Sequence, residues 1–497
     1  MTYGLEKSDL AIVAMKPANK AGQPAAEWVE RRTGTEGNAR RSHTQRTQCR
    51  ASVPQGLDRV RQAAKTRKKE RFTALMHHVT VDQLWAAFDA LKRRSAPGVD
   101  GVTWEAYEAN LIPNLMELHT RLHGGRYRAQ PVRRRYIPKP DGGVLPLGVT
   151  ALEDKIVQRA VVEVLNAIYE TEFKGFSYGF RPGRGQHDAM DALAYGIQTQ
   201  RVNWILDADI KRFFDTISQA WLIKFLEHRI GDRRMIRLIQ KWLKAGVLDE
   251  GEWSVSATGT PQGAVISPLL ANVFLHYVFD LWADRWRRTQ ARGRCIIIRY
   301  ADDIVLGFEH ETDARRFRDA MRARFEQFEL ELHGEKTRLI EFGRYAAERR
   351  QRRGLDRPET FAFLGFVFIC GRARRGSFQL KRTSRGDRMR ARLHTIKDKL
   401  RTHMHAPLAQ QGRWLRAVLS GYFAYHAVPT NMRSLQRFRH QVARAWRRVL
   451  SRRSQKGNVS WERMTRIAKA WLPEPRILHP WPDQRFAANY PRWEPNA

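Results

Sequence analysis

Residues 294–308 read RCIIIRYADDIVLGF. IIIRY and IVLGF are apolar, β-prone runs, and Asp302 and Asp303 stand between them, which predicts a tight hairpin with two carboxylates at its tip. Aspartate is common in solvated turns, so the pair decides little until its company is read. Upstream, VNWILDADIKRFFDTI (202–217) offers a strand, WIL, leading into Asp207 and Asp209, which share one face by the two-residue period of a strand. Three mutually repelling carboxylates from separate strands make sense with cations between them, and hard oxygen ligands suit Mg²⁺. Two such ions about 4 Å apart can activate an attacking hydroxyl and stabilise a leaving pyrophosphate in an in-line phosphoryl transfer.

Between these segments lies GTPQGAVISPLLANVFLHYVF (259–279), where Gly259, Pro261 and Gly263 predict a loop that a ligand can approach closely. Ser267-Pro268 then predicts an N-cap followed by Pro at the first helical position. Further out, VRRRYIPKPDGGVLPLGV (132–149) reads as two strands joined by a turn at 140–143. A helical pattern over 153–170 precedes the Gly- and Arg-rich loop SYGFRPGRG (177–185). The stretch KTRKKERF (65–72) fits a phosphate-contacting helix face or a merely solvated one. Beyond residue 380 the pattern turns helical and basic, with 29 Lys/Arg against six Asp/Glu over 371–497. There Leu435, Phe438, Val442, Ala445, Trp446, Val449 and Leu450 form an apolar stripe while arginines fill the other faces. Trp414, Tyr422 and Trp446 fit core packing better than base stacking.

Composition narrows the partners. A formal charge of +38, from 89 Lys+Arg against 51 Asp+Glu, calls for a polyanion, and nucleic acid is the natural one. There is no apolar run of about 18 residues, which argues against a membrane. The three cysteines, Cys49, Cys295 and Cys370, lie too far apart for a disulfide framework or a CxxC zinc signature, which fits a reducing compartment. The N-terminus lacks a targeting pattern, so a cytoplasmic location is expected, with nucleoid association during DNA targeting.

The order of segments resembles the successive blocks of group II intron-encoded reverse transcriptases and maturases of the bacterial type. SYGFRPGRG, DIKRFFD, GTPQGAVISPLLAN, YADD, HGEKT and FLGF carry the likeness over roughly 90–370, and GYFAYHAVPTN, RSQKG and WLPEPRILHPWP carry it nearly to the end. Each block is weak and the ordered set is specific. The resemblance implies a right-hand polymerase of α/β (α+β) class, with fingers and an antiparallel palm sheet followed by a helical thumb and maturase region. It implies two Mg²⁺ held by Asp209, Asp302, Asp303 and the Ile210 carbonyl, with Lys336 as proton donor to pyrophosphate. It places Lys139, Arg181, Phe214 and Gln262 around the incoming deoxynucleoside triphosphate, Phe214 as the gate beneath the sugar and Phe213 in the core. Phe363, Leu364, Gly365 and Phe366 match the primer grip. One position departs from the family: Leu145 stands where an arginine is usual, so the triphosphate contact is weakened or supplied by another cation.

The expected organisation is a flexible basic extension over 1–56, fingers and palm over 57–370, a thumb and maturase domain over 371–465, and a tail over 466–497. Expected partners are group II intron RNA, bound in part by Arg437, Arg444 and Arg448, together with template RNA and primer DNA. The same blocks would serve a host-adapted reverse transcriptase in defence or repair, or a retired maturase that only binds RNA. After Trp446 the sequence has no cysteine and a single histidine, His479, so no HNH-type endonuclease is expected and priming on existing DNA 3′ ends is.

Overall fold

In the computed structural model, which describes residues 56–138, 144–249, 251–254, 258–453 and 457–489, eleven strands form three sheets among helices. The first sheet holds β1 (Val132–Pro138), β2 (Val144–Val149), β4 (Val247–Asp249) and β5 (Glu252–Ser254) in the order β2-β1-β4-β5. Its β1–β2 hairpin is antiparallel, with Arg133 opposite Val149 and Ile137 opposite Leu145. The expected turn at 140–143, and Lys139 beside it, lie outside the described residues, as does all of the N-terminal extension before residue 56.

The second sheet holds β3 (Trp204–Ala208), β6 (Cys295–Tyr300), β7 (Asp303–Phe308) and β8 (Arg338–Glu341), antiparallel throughout, in the order β6-β7-β3-β8. Alternation along its strands separates two cores. Leu206, Ile297, Ile304 and Leu306 face the larger one, built on helix Leu152–Tyr169, and Ile205, Ile296, Ile298 and Val305 face the smaller one, which includes helix Gln186–Thr199. With both faces covered, every residue of β7 is buried, which is why its sequence is a continuous apolar run.

The third sheet, β9 (Phe361–Phe363), β10 (Phe366–Arg372) and β11 (Phe378–Ser384), leads into helices Gly386–Thr402, Leu408–His426, Met432–Ser451 and Trp461–Trp471. These helices share a third core centred on Trp446, which is fully buried, with Trp414 and Tyr422 packed at its margin. Two expected domain limits fall inside elements: 370/371 within β10, and 465/466 within helix Trp461–Trp471, whose Met464 and Ala468 belong to the third core. The last segment also returns to the sheet region. Helix Pro482–Asn489 packs on Gln186–Thr199, where Arg485 Nε lies 2.8 Å from Asp191 Oδ2 and the His479 ring stacks on His187 at 3.9 Å.

Candidate active site

The β6–β7 hairpin closes as tightly as two strands can. Tyr300 pairs with Asp303, leaving Ala301 and Asp302 as the whole loop, and Ala301 takes a left-handed φ of +56°, which strains a residue with a Cβ. Asp302 and Asp303 are both buried. On the neighbouring strand Ala208 pairs with Ile304, so the next residue, Asp209, continues the register opposite Asp303. The Asp209 carbonyl accepts from His333 N at 2.8 Å and Lys211 N donates to Glu331 O at 2.8 Å, which fixes Ile210 between them. That pairing brings in the HGEKT segment, and Lys336 Nζ lies 3.7 Å from Asp209 Oδ2. Asp207 is engaged elsewhere: it pairs in register with Arg338, whose Nη2 is 3.9 Å from Asp207 Oδ2.

The expected metal ligands, Asp209, Asp302, Asp303 and the Ile210 carbonyl, offer oxygen atoms only, the donor type Mg²⁺ prefers. Among the described residues no three His, Cys, Asp or Glu converge into a ready-made metal cage.

Arg299 holds this hairpin from beneath and escaped the sequence reading. It is fully buried, and its Nε and Nη2 clasp both Asp280 oxygens at 2.7 and 2.6 Å. Its Nη1 donates to Asn272 Oδ1 and to the Ala301 carbonyl, both at 2.9 Å, and its Nη2 to Ser177 Oγ at 2.7 Å. Asn272 in turn donates to the Gly179 carbonyl at 2.7 Å, and a Cβ at Gly179 would sit 2.3 Å from Ala301 N. The SYGF loop, the helix after the TPQG loop and the YADD turn therefore meet on one guanidinium. Asp280 reaches it from a π-helical turn, His276–Asp280. Burial pushes the neighbouring His276 imidazole down to about 4, so the positive charge facing the Asp280 carboxylate comes from Arg299. The signal was present in the sequence: an arginine inside CIIIRY can be buried only if it is paired.

The TPQG loop lies against the turn after Asp209. Thr260 N donates to the Phe214 carbonyl at 2.8 Å, and Gly259, at φ +85°, passes within 3.0 Å of the Phe214 and Asp215 carbonyls measured from where a Cβ would be. Gln262 Nε2 donates to Asp215 Oδ1 at 3.2 Å, and Gly148 N in β2 donates to the Gln262 carbonyl at 2.6 Å. Phe213 is in the core, as expected, and Phe214 is half-buried beside it. Ser267 is the first helical residue rather than the cap, and its hydroxyl donates to the Pro261 carbonyl at 2.9 Å.

Two expected contact residues are engaged within the protein. Arg181 is buried, its Nε and Nη2 grip the Glu170 carboxylate, and its Nη1 donates to the Lys174 and Ser177 carbonyls at 2.8 Å. In the expected primer grip, the Phe363, Leu364 and Phe366 side chains are buried in the second core, which leaves the backbone at Gly365 as the part a primer could approach. Leu364 and Gly365, at φ +46° and +81°, form the β9–β10 turn, with Arg388 and Tyr425 beside Gly365. Tyr425 also donates to the Leu364 carbonyl at 2.7 Å. Arg437, Arg444 and Arg448 are exposed along one face of helix Met432–Ser451.

The family model described as reverse transcriptase (RNA-dependent DNA polymerase) matches residues 137–368. Protein YkfC of Escherichia coli is 33% identical over 324 residues, which cover 59% of this chain and 81% of YkfC. The group II intron-encoded protein LtrA of Lactococcus lactis is 34% identical over 222 residues, 44% of this chain and 37% of LtrA. This chain belongs to the group II intron reverse transcriptase and maturase family. A 91 kDa protein in the cob intron of Schizosaccharomyces pombe is 36% identical over 39% of this chain and 24% of its own length. The reverse transcriptase match implies a right-hand polymerase fold, and the matched region contains the whole second sheet with its YADD hairpin. Among the described residues of this family member no helix is long and apolar enough to cross a membrane.

Proposed function

We propose that the chain is an RNA-directed DNA polymerase that adds deoxynucleotides to a DNA primer on an RNA template, and that it binds its parent intron RNA to assist splicing and mobility. The observation that carries the polymerase reading is the register that sets Asp209 opposite the Asp302-Asp303 hairpin with Lys336 3.7 Å away. The helices before Tyr169 and the first sheet would form the fingers, the second sheet the palm, and the helices after Ser384 the thumb. Two Mg²⁺, when bound to Asp209, Asp302, Asp303 and the Ile210 carbonyl, would activate the primer hydroxyl and neutralise the triphosphate. Lys336 would give a proton to the leaving pyrophosphate, its charge held in place by Asp209. Gln262, tethered to Asp215, would meet the incoming nucleotide, and Lys139 its phosphates.

Incubating the purified chain with an RNA template, an annealed DNA primer, deoxynucleotides and Mg²⁺ tests the reading. Template-length DNA is expected, and protein that binds the hybrid without extending it would refute it. Self-splicing of the parent intron RNA with and without protein tests the maturase role, with a lower Mg²⁺ requirement as the expected result.

Phe214→Ala should raise ribonucleotide use relative to deoxynucleotide by about tenfold or more, since the ring that would meet a 2′-OH is gone, and ~1.4 kcal/mol of discrimination is tenfold. Competitive incorporation measures it, and an unchanged ratio in an active variant would move the gate elsewhere. Leu145→Arg should lower the KM for deoxynucleotides several-fold. Position 145 lies opposite Ile137 in the β1–β2 hairpin, and a guanidinium pairs well with phosphate oxygens. Steady-state kinetics decide it; an unaltered KM would show that another cation already fills the role.

A further inference from the structure

We infer that Trp461 is a stacking platform for an unpaired RNA nucleotide, set within the basic face of helix Met432–Ser451. The inference rests on the RNA-binding reading of the helical region and names the part of the RNA it takes. Helix Met432–Ser451 carries no acidic residue, and its exposed face presents Arg433, Arg437, His440, Arg444 and Arg448 in one stripe. Trp461 packs across from that stripe. Its ring lies nearly parallel to His440, with centroids 5.8 Å apart and planes at 9°, and the Arg447 guanidinium sits 4.7 Å from its centroid.

The ring is held in place before any ligand arrives. Arg447 Nε donates to the Val459 carbonyl at 2.7 Å, and the Ser460 hydroxyl caps the helix that Trp461 begins by accepting from Arg463 N. Even so, 43% of the residue stays exposed. Trp446, by contrast, is buried and donates to Gln411 Oε1, so the stacking surface of this region is not the tryptophan nearest the apolar stripe. A rigid exposed indole loses little freedom when a flat partner covers it, and each base stacked on an aromatic ring adds affinity without regard to sequence. The surrounding cations select a polyanion over a protein surface. The flat ring selects a nucleotide whose base is unstacked, because a paired A-form helix hides its base faces.

The test compares wild type, Trp461→Ala, Trp461→Phe and the triple variant Arg437→Gln, Arg444→Gln, Arg448→Gln, all as full chains. Each is titrated over a range of salt against a mixed-sequence single-stranded RNA oligonucleotide and against a fully paired RNA duplex. Trp461→Ala should weaken single-strand binding by roughly 5- to 100-fold at every salt concentration, with the slope of log affinity against log salt unchanged. Trp461→Phe should recover most of the loss, and duplex binding should stay at the wild-type level. The triple variant should flatten the slope, since each lost phosphate contact releases fewer counterions. Unchanged single-strand affinity in Trp461→Ala, equal loss on both RNAs, or a slope change like that of the triple variant would overturn the stacking role while leaving the basic face standing. A wild-type chain without salt-dependent RNA binding would overturn the underlying reading and this one with it.

Discussion

Asp302→Asn is expected to lower Mg²⁺-dependent DNA synthesis by about three orders of magnitude, equivalent to ~4 kcal/mol of transition-state stabilisation, while RNA affinity stays within about twofold. The substitution keeps the shape of the side chain and removes the charge that a metal needs. Asp302 is 1% exposed, and its hairpin stands beside Asp209 and Asp303, so losing one of three like charges relieves repulsion in the free protein. Thermal stability should therefore hold or rise as activity disappears. Primer extension, filter binding and a melting curve on one preparation check all three. Joint loss of activity, RNA binding and stability would mean that Asp302 is a folding residue instead.

Arg299→Met is expected to cost both stability and activity, and the reason for each can be separated. The single variant strands Asp280, which is fully buried, without its bidentate partner, and breaking such a pair costs about 3–5 kcal/mol. Adding Asp280→Leu removes the stranded charge, and a well-packed apolar pair is often as stable as the ion pair it replaces. Stability should return in the double variant. DNA synthesis should not, because the Ala301 carbonyl has still lost its donor and the turn that presents Asp302 is free to relax from φ +56°. The remaining activity should need more Mg²⁺ for half-saturation, with little change in the KM for deoxynucleotides. Full recovery of both stability and activity in the double variant would reduce Arg299 to a structural ion pair.

The carboxylate hairpin was legible because two short apolar, β-prone runs flank the Asp pair, and the runs are continuous because side chains on both faces are buried, sorted between two cores. Asp209 was separable from Asp207 only through the family likeness, and the structure adds the physical distinction that Asp207 pairs with Arg338 while Asp209 continues to the hairpin. For Arg181 the sequence shows a cation in a glycine-rich loop and not its partner, Glu170, which caps the end of the preceding helix. In the FLGF segment Gly365 sits in the β9–β10 turn, and the flanking apolar residues belong to the core beneath a later helix, which no local pattern reveals. The return of helix Pro482–Asn489 onto Gln186–Thr199, clamped by Arg485 and Asp191, is a contact between distant parts of the chain and left no periodic trace.

The central claim is that Asp209, Asp302 and Asp303 hold the metal ions of the reaction, and anomalous diffraction from crystals of the chain with primer–template, deoxynucleotide and Mn²⁺ tests it most directly. The account predicts two peaks bounded by these three carboxylates, with the Ile210 carbonyl in contact with one of them and both reduced in an Asp302→Asn crystal. Mn²⁺ bound to the triphosphate with neither Asp209 nor Asp302 in its coordination sphere would contradict it.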